Sequence, residues 1–286
     1  MATLRDIKRR IKSVRNTQQI TKAMEMVAAA KLRRAQGRAV AARPYARGME
    51  EMLGNLAATL TAMQHPLTEA RPVHKRALLV FASNRGLAGS YNAQIIRFTE
   101  AILRGPEGGS LQLVLIGKKL NDYFRRRTYP VLSIHGDLPD QAQLEVAQRL
   151  TREAIDWFRN GEVDAVDLVY SQFVSAMTRN TVRVPFLPIG AGAVPAAGGV
   201  ARDYIFEPNA AELVDRLLPR YVTTRMLQAF AESYASEHSA RMLAMGAARK
   251  NAGELIDGLV LKRNRLRQAT ITKELSEIVG GAEALK

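Results

Sequence analysis

The chain has no cysteine, a single tryptophan, four histidines and only 6% aromatic residues among its 286. Without cysteine, disulfides and thiolate metal sites are excluded. The histidines, His65, His74, His135 and His238, lack metal-ligand spacing, so surface or core roles are expected; His238, among polar neighbours, is expected to be exposed. No run of about eighteen apolar residues occurs, so no membrane span is expected. The opening MATLRDIKRR lacks the apolar stretch of a signal peptide, and helical patterning begins at once. Acidic residues are also scarce: 27 against 42 basic, a net charge of +15. Between Met1 and Gly48, thirteen Lys or Arg face only Asp6 and Glu25. Such a concentration attracts nucleic acid, anionic lipid or an acidic protein. A merely solvated helix face would carry more acid to balance it.

What is present is ordinary for a globular chain, with 47% hydrophobic and 24% charged residues. Leu4, Ile7, Ile11, Val14, Gln18, Thr21, Met24, Ala28, Leu32 and Ala35 recur at helical spacing, shifting from bulky to small. Pro44 is expected to kink or break this helix, after which Met49, Met52, Leu53, Leu56 and Leu60 resume the pattern up to His65–Pro66.

From about Arg76 the period changes. ALLVFAS, LQLVLIG, YPVLSI, AVDLVYSQFVS and RNTVRVPFLPIG read as strands. NAQIIRFTEAILR, KKLNDYFRRR and Gln141–Phe158 read as helices between them. This alternation predicts a largely parallel βαβ-type sheet, with Gly190–Gly199 as a flexible loop leading out. From Asn209 the pattern is helical almost to the end. Met245, Ala248, Ala252, Leu255, Leu259, Lys262 and Leu266 form a 3-4 seam whose alanines match the small residues of the first helix. About 70 helical residues extend roughly 100 Å, whereas a compact chain of this length is about 50 Å across. The long helix must therefore project, and the N-terminal helix is the element long enough to lie along it. The expected architecture is α/β: a long antiparallel coiled coil of the N- and C-terminal helices plus a Rossmann-like α/β head. The expected boundaries are 1–62, 75–200 and 209–286.

Chemistry is thinly represented. SNRGLAGSYN (Ser83–Asn92) follows a strand and opens a helix, a place suited to phosphate. It lacks the Lys-Ser/Thr ending of a P-loop and dinucleotide-fingerprint spacing, so a plain tight βα turn is the favoured reading. GAGAVP fares worse, because Pro195 and the continuing loop prevent the helix such a site requires. Carboxylate pairs such as Glu50–Glu51 sit on helical surface, and no nucleophile–base set can be identified. No cofactor or metal is expected, and a mechanical or interaction role fits better than an active site.

The two ends are the most specific stretches. RIKSVRNTQQITKAMEMVAAAKLRRAQ (Arg10–Gln36) and RQATITKELSEIVGGAEAL (Arg267–Leu285) closely resemble the terminal helices of F-type ATP synthase gamma subunits. SNRGLAGSYN, RPYA (Arg43–Ala46) and YIFEP (Tyr204–Pro208) also fit. The resemblance runs along the whole chain in order, although Gly105–Gly199 matches by organisation more than by motif.

The resemblance implies a non-catalytic central rotor shaft. It would couple ion flow through a membrane ring of c subunits to conformational cycling of catalytic beta subunits, for ATP synthesis. The implied partners are the alpha and beta subunits of the hexamer, the epsilon subunit and the c ring. Residue by residue, it implies that Met24, Lys31, Arg33 and Arg34 lie near acidic lever loops of beta. Arg241, Arg267, Gln268, Thr272 and Glu274 would touch the hexamer, and Tyr204, Phe206 and Glu207 the c ring. For the isolated cations a solvated surface role competes, and Met24 also suits the helix seam. The absence of cysteine matches a bacterial form without the thiol-bearing insert of chloroplast versions, peripheral at the cytoplasmic face of the plasma membrane. The rival reading is a basic coiled-coil nucleic-acid-binding protein. It is weakened because the basic stretch is itself part of the seam instead of preceding a zipper. A nucleotide-binding enzyme would need more complete phosphate motifs.

Overall fold

The computed structural model describes residues 3–55, 65–136, 143–189 and 209–283. Contacts divide the chain into two units, Met1–Ala29 with Arg241–Lys286, and Ala30–Ala240. Two long helices, α1 (Leu4–Asn55) and α5 (Ala210–Glu283), contribute to both.

The larger unit is built on a five-stranded sheet. Its strands are β1 (Arg76–Phe81), β2 (Leu111–Ile116), β3 (Val131–His135), β4 (Ala165–Phe173) and β5 (Arg179–Leu187). Their order is β3-β2-β1-β4-β5; β5 runs antiparallel to β4 and the other pairings are parallel. The continuous apolar runs have their physical reason here, because β1, β2 and β4 are covered on both faces. Helices α2 (Tyr91–Leu103) and α3 (Lys118–Phe124) pack Tyr91, Ile95, Leu120 and Phe124 against Leu78, Val80 and Leu113 on one face. Helix α4 (Gln143–Arg159), the first turns of α5 and the end of α1 cover the other, around Leu79, Phe81 and Leu168. The alternation read from the sequence is therefore a doubly covered, largely parallel sheet. The loop expected at Gly190–Gly199 lies outside the described residues.

The break expected at Pro44 does not occur; α1 continues through it. A proline inside a helix costs about 3 kcal/mol. Beyond it, Met49 and Leu53 are buried in the head core, and burial worth about 1.5–3 kcal/mol for each such side chain offsets that cost. Pro219 is carried inside α5 in the same way, flanked by buried Leu218 and Tyr221.

The smaller unit is an antiparallel pair of helices. Ile7 and Ile11 of α1 and Ile256 of α5 form its buried centre, with Val14, Leu259, Val260 and Leu266 packed against them. Farther along α1, Gln18 reaches the Arg249 carbonyl at 3.5 Å and Glu25 accepts from Arg249 Nε at 2.8 Å. Numbers rise on one helix as they fall on the other, as the sequence predicts for two ends folded side by side. The seam of α1 is the expected one. That of α5 is corrected: Leu255 is 46% exposed and Lys262 is exposed, while Ile256 is buried and Arg263 half-buried. The working stripe is Met245, Ala248, Ala252, Ile256, Leu259, Arg263 and Leu266, which also has 3-4 spacing. Close approach falls on glycines as well as alanines. A Cβ on Gly253 would lie 3.1 Å from Gln18 Nε2, and one on Gly246 would lie 3.3 Å from Glu25 Oε1.

Candidate partner interface

With Ile7, Ile11 and Ala28 turned inward, the cations of the first α1 stretch are forced to the opposite surface. Arg5, Lys8, Arg10, Lys12, Arg15 and Lys22 are exposed, with no ion pair among the described residues. Arg9 is neutralised locally by Asp6 at 2.7 Å. Beside the cations stand Ile20, Met26 and Val27, which are 60%, 58% and 55% exposed. The sequence signals them only through the pair Ile20 and Val27, two helical turns apart and off the inward stripe. A helix surface that mixes unpaired cations with large apolar side chains is what a partner-covered surface looks like before the partner arrives.

The far part of α5 is barer. Every residue from Arg267 to Val279 is exposed, including Ile271, Leu275, Ile278 and Val279. Their spacing puts them on one side of the helix. Of the residues singled out in the sequence, Arg267, Gln268, Thr272 and Glu274 all lie in this exposed stretch. The Thr272 hydroxyl donates to the Gln268 carbonyl at 3.0 Å, so its hydrogen goes to its own helix. Arg241 differs from these, being only 8% exposed. Met24 is half-buried, in keeping with a seam position. Lys31 is half-buried, and Arg33 and Arg34 are exposed. Tyr204, Phe206 and Glu207 lie outside the described residues.

The head shows a different economy, in which polar groups are used internally. In the Ser83–Asn92 turn, Asn92 Oδ1 accepts from the Ser83 backbone N–H at 3.2 Å. Asn84 Oδ1 accepts from the Lys118 N–H at 3.1 Å. Leu87, at φ 63°, and Gly89, at φ 56°, take left-handed conformations to close the turn. Opposite it, Gly117 (φ 108°) admits no side chain, since a Cβ would sit 2.2 Å from the Ala82 carbonyl oxygen. These bonds make a latched βα turn, the bland reading of the motif. Asp167, 1% exposed, accepts from Arg76 at 2.9 Å and Arg183 at 2.6 Å, and Arg183 also holds Glu107 at 2.8 Å.

His65, His135 and His238 are structural, while His74 is exposed. His65 Nδ1 accepts the Leu67 N–H at 3.0 Å while Nε2 lies 3.1 Å from Asp215, and burial pushes its pKa below the ordinary value. His135 meets Glu153 at 3.1 Å and is likewise lowered by burial. His238 is not exposed as its polar neighbours suggest: it is 4% exposed and stacks edge-on against Tyr234, with ring centroids 4.3 Å apart. Its neighbours Ser236 and Ser239 are polar because they bond to head carbonyls, not because they face water. On the same helix, burial raises the Glu232 carboxyl, and burial followed by Glu232 pushes the Tyr170 phenol up to about 12. Among the described residues no group of acidic, histidine or cysteine side chains could hold a metal ion. No described helix is long and apolar enough to cross a membrane.

Comparison with known proteins accounts for this combination of finished head and bare helices. A family model described as ATP synthase matches residues 3–285. The ATP synthase gamma chain of Moorella thermoacetica is 46% identical over 286 residues, covering 100% of both chains. That of Desulfitobacterium hafniense is 45% identical over 286 residues with the same coverage. Among solved structures, the Euglena gracilis mitochondrial ATP synthase rotor in rotational state 1 has a TM-score of 0.64 at 17% identity, covering 94% of this chain and 98% of that one. The central stalk and c-ring structure of the Tetrahymena thermophila mitochondrial ATP synthase gives 0.61 at 23% identity, covering 80% and 99%. The structural likenesses support the fold, and the sequence matches, which run from end to end, establish kinship: the chain belongs to the ATP synthase gamma-chain family.

Proposed function

We propose that this chain is the central rotor shaft of an F-type ATP synthase, non-catalytic itself. It would turn with a membrane ring of c subunits, at the cytoplasmic face of a bacterial membrane. The helical pair would sit inside the hexamer of alpha and beta subunits, and the head would contact the ring together with an epsilon subunit. The observation that carries this reading is the uncovered run Arg267–Val279, where large apolar side chains alternate with charge and nothing among the described residues shields them. A free helix with such a surface is marginal in water, whereas inside a sleeve of other subunits both its apolar and its polar groups find partners.

The proposed mechanism is mechanical. Ion flow turns the ring and the shaft, and the shaft's unequal faces present different side chains to the three beta sites in turn, shifting their nucleotide affinities by differential contact. On this reading Lys31, Arg33 and Arg34, with Met24, face acidic loops of beta, and Arg267, Gln268, Thr272 and Glu274 line the upper contact. Arg241, being buried, would act on that contact through its packing. Tyr204, Phe206 and Glu207 would meet the ring. Nucleic-acid binding is the weaker reading, since the basic helix turns its inner stripe to its own chain and the end-to-end kinship is with ATP synthase gamma chains.

The test is assembly and coupling. Expressed with the other subunits, the chain should co-purify with alpha, beta and epsilon in a membrane-attached complex. Charge reversal at Lys31, Arg33 and Arg34 together should reduce ATP-driven ion pumping while leaving assembly intact, because exposed pairs contribute about 0–1 kcal/mol each to stability but clusters steer contacts. Met24→Lys should lower ions pumped per ATP with hydrolysis retained. Robust ATP turnover by the purified chain alone, or unchanged pumping in the triple variant, would refute these assignments.

A further inference from the structure

In an open α/β sheet, ligands bind outside the carboxyl ends of the strands where the strand order reverses. In β3-β2-β1-β4-β5 that point lies between β1 and β4, since the chain proceeds from β1 outward to β2 and β3 and then returns to the other side of β1. Helix α5 passes over this point. Phe230 belongs to the core on one face of the sheet, packed edge-on against Phe81 at 4.8 Å, and Ala240 belongs to the core on the other. Ten residues of helix cover about 15 Å, enough to cross the end of one sheet.

Along the crossing a small polar residue recurs at every third position. Ser233, Ser236 and Ser239 are 6%, 0% and 1% exposed, and Ala229 and Ala235 are buried beside them. Each serine bonds to a different part of the crevice wall. Tyr91, the first residue of α2, places its hydroxyl 2.7 Å from Ser233 Oγ and donates to the Ser233 carbonyl at 3.2 Å. Ser236 Oγ donates to the Ser171 carbonyl near the end of β4 at 2.8 Å. Ser239 Oγ donates to the Ala176 carbonyl in the turn beyond β4. Both sides of the switch point are thus tied to one helix.

We infer that the head uses its ligand crevice to grip its own chain: residues 233–239 of α5 are the permanent occupant, and the serine–tyrosine clamp stops α5 turning about its axis on the head. Apolar packing alone resists withdrawal of a helix but is non-directional, so it yields to rotation more readily than hydrogen bonds of fixed geometry. Serines three residues apart progress slowly around the helix, so they address the β1 side and the β4 side in succession and oppose turning in either sense. Tyr91, Ser233, Ser236 and Ser239 are accordingly positioning residues. The functional half of this inference rests on the rotor reading; the structural half does not.

The experiment uses the full chain with S233A, S236A and S239A combined, and separately Y91F, which keeps the ring in the core. By hydrogen exchange, amides of residues 231–240 should exchange about tenfold faster in the triple variant, with those of 214–226 unchanged. In the assembled complex, angular fluctuations of a probe on the head should widen during a catalytic pause while the hydrolysis rate is retained. Y91F should show the same changes in smaller measure. Unchanged exchange at 231–240 overturns the clamp, as do unchanged fluctuations in a complex that rotates. Changed exchange in a chain that neither assembles nor rotates keeps the clamp and removes the rotor reading.

Discussion

Truncating Ile256 to alanine should open the helical pair locally without disturbing the head. The buried centre of the smaller unit is Ile7, Ile11 and Ile256, backed by four partly covered side chains. Full burial of such a side chain contributes about 1.5–3 kcal/mol, so these three together supply roughly 5–9 kcal/mol of the attraction between the helices. An Ile→Ala change in a core typically costs about 2–5 kcal/mol. The lower part of that range applies, about 2–3 kcal/mol, because a two-helix seam can collapse toward the gap. Local opening should therefore rise about 30- to 150-fold, at tenfold per 1.4 kcal/mol. Hydrogen exchange followed by mass spectrometry on the purified chain reads this directly at residues 7–14 and 252–260, with β1 and β4 as internal controls. The adjacent Leu255→Ala, at a side chain 46% exposed, is the matched comparison and should change exchange little. If Leu255→Ala opened the pair as much as Ile256→Ala, or if neither did, the assignment of the seam to Ile256 would be wrong.

Other outcomes follow from the head. Asp167→Ala leaves Arg76 and Arg183 facing each other without their shared carboxylate; breaking such a pair costs about 3–5 kcal/mol when buried, and about 3 kcal/mol is expected here because both guanidinium groups keep some solvent access. Urea unfolding of Asp167→Ala, Arg76→Ala and the double variant should show strong coupling between the two. Acidification should destabilise the chain as pH falls through and below 6.5, the ordinary histidine value. The pKa values of His65 (facing Asp215 and Arg159) and His135 (facing Glu153 and Arg149) are lowered in the fold, so the unfolded chain takes up protons first. Each histidine contributes a slope of at most about 1.4 kcal/mol per pH unit, and replacing both by glutamine should flatten the midpoint-versus-pH curve between pH 6.5 and 5. Glu232→Gln should raise the thermal midpoint at pH 7, because burial raises that carboxyl and its ionised form costs stability above the unfolded pKa; the gain should vanish as pH falls and the native glutamate protonates.

How far the sequence carries the fold depends on whether a residue's environment is local. The α1 stripe from Leu4 to Ala35 was legible because one helix facing one partner leaves a plain period. The α5 stripe was ambiguous for a physical reason: after Ala252, both Leu255 and Ile256 continue a 3-4 series, and only the opposing side chains decide between them. Lys262 in the first series was the available warning. Proline at 44 gave the wrong stop because the helix beyond it is held by tertiary burial of Met49 and Leu53, which no local rule contains. Asp167 was read as part of an apolar strand, and its partner Arg76 lies 91 residues away. His238 reads as a solvent residue for the same reason, since its neighbours Ser236 and Ser239 find their partners Ser171 and Ala176 65 and 63 residues off in sequence.

The candidate interface divides along the same line. In the head, polar groups with demanding geometry have found one another: Asp167 with two arginines, Tyr91 with Ser233, Asn84 and Asn92 with backbone N–H groups. The crevice in which a small molecule would sit is, on the inference above, filled by α5. In the helical pair the balance is opposite. Six cations on α1 and six large apolar side chains on α5 lie open among the described residues, though each costs free energy to leave in water or to hold among like charges. A chain gains nothing in its own stability from such an arrangement. On the proposed rotor reading the cost is offset when an acidic and partly apolar surface of other subunits closes over both helices, so the features that make the pair a poor domain would fit it to work inside an assembly.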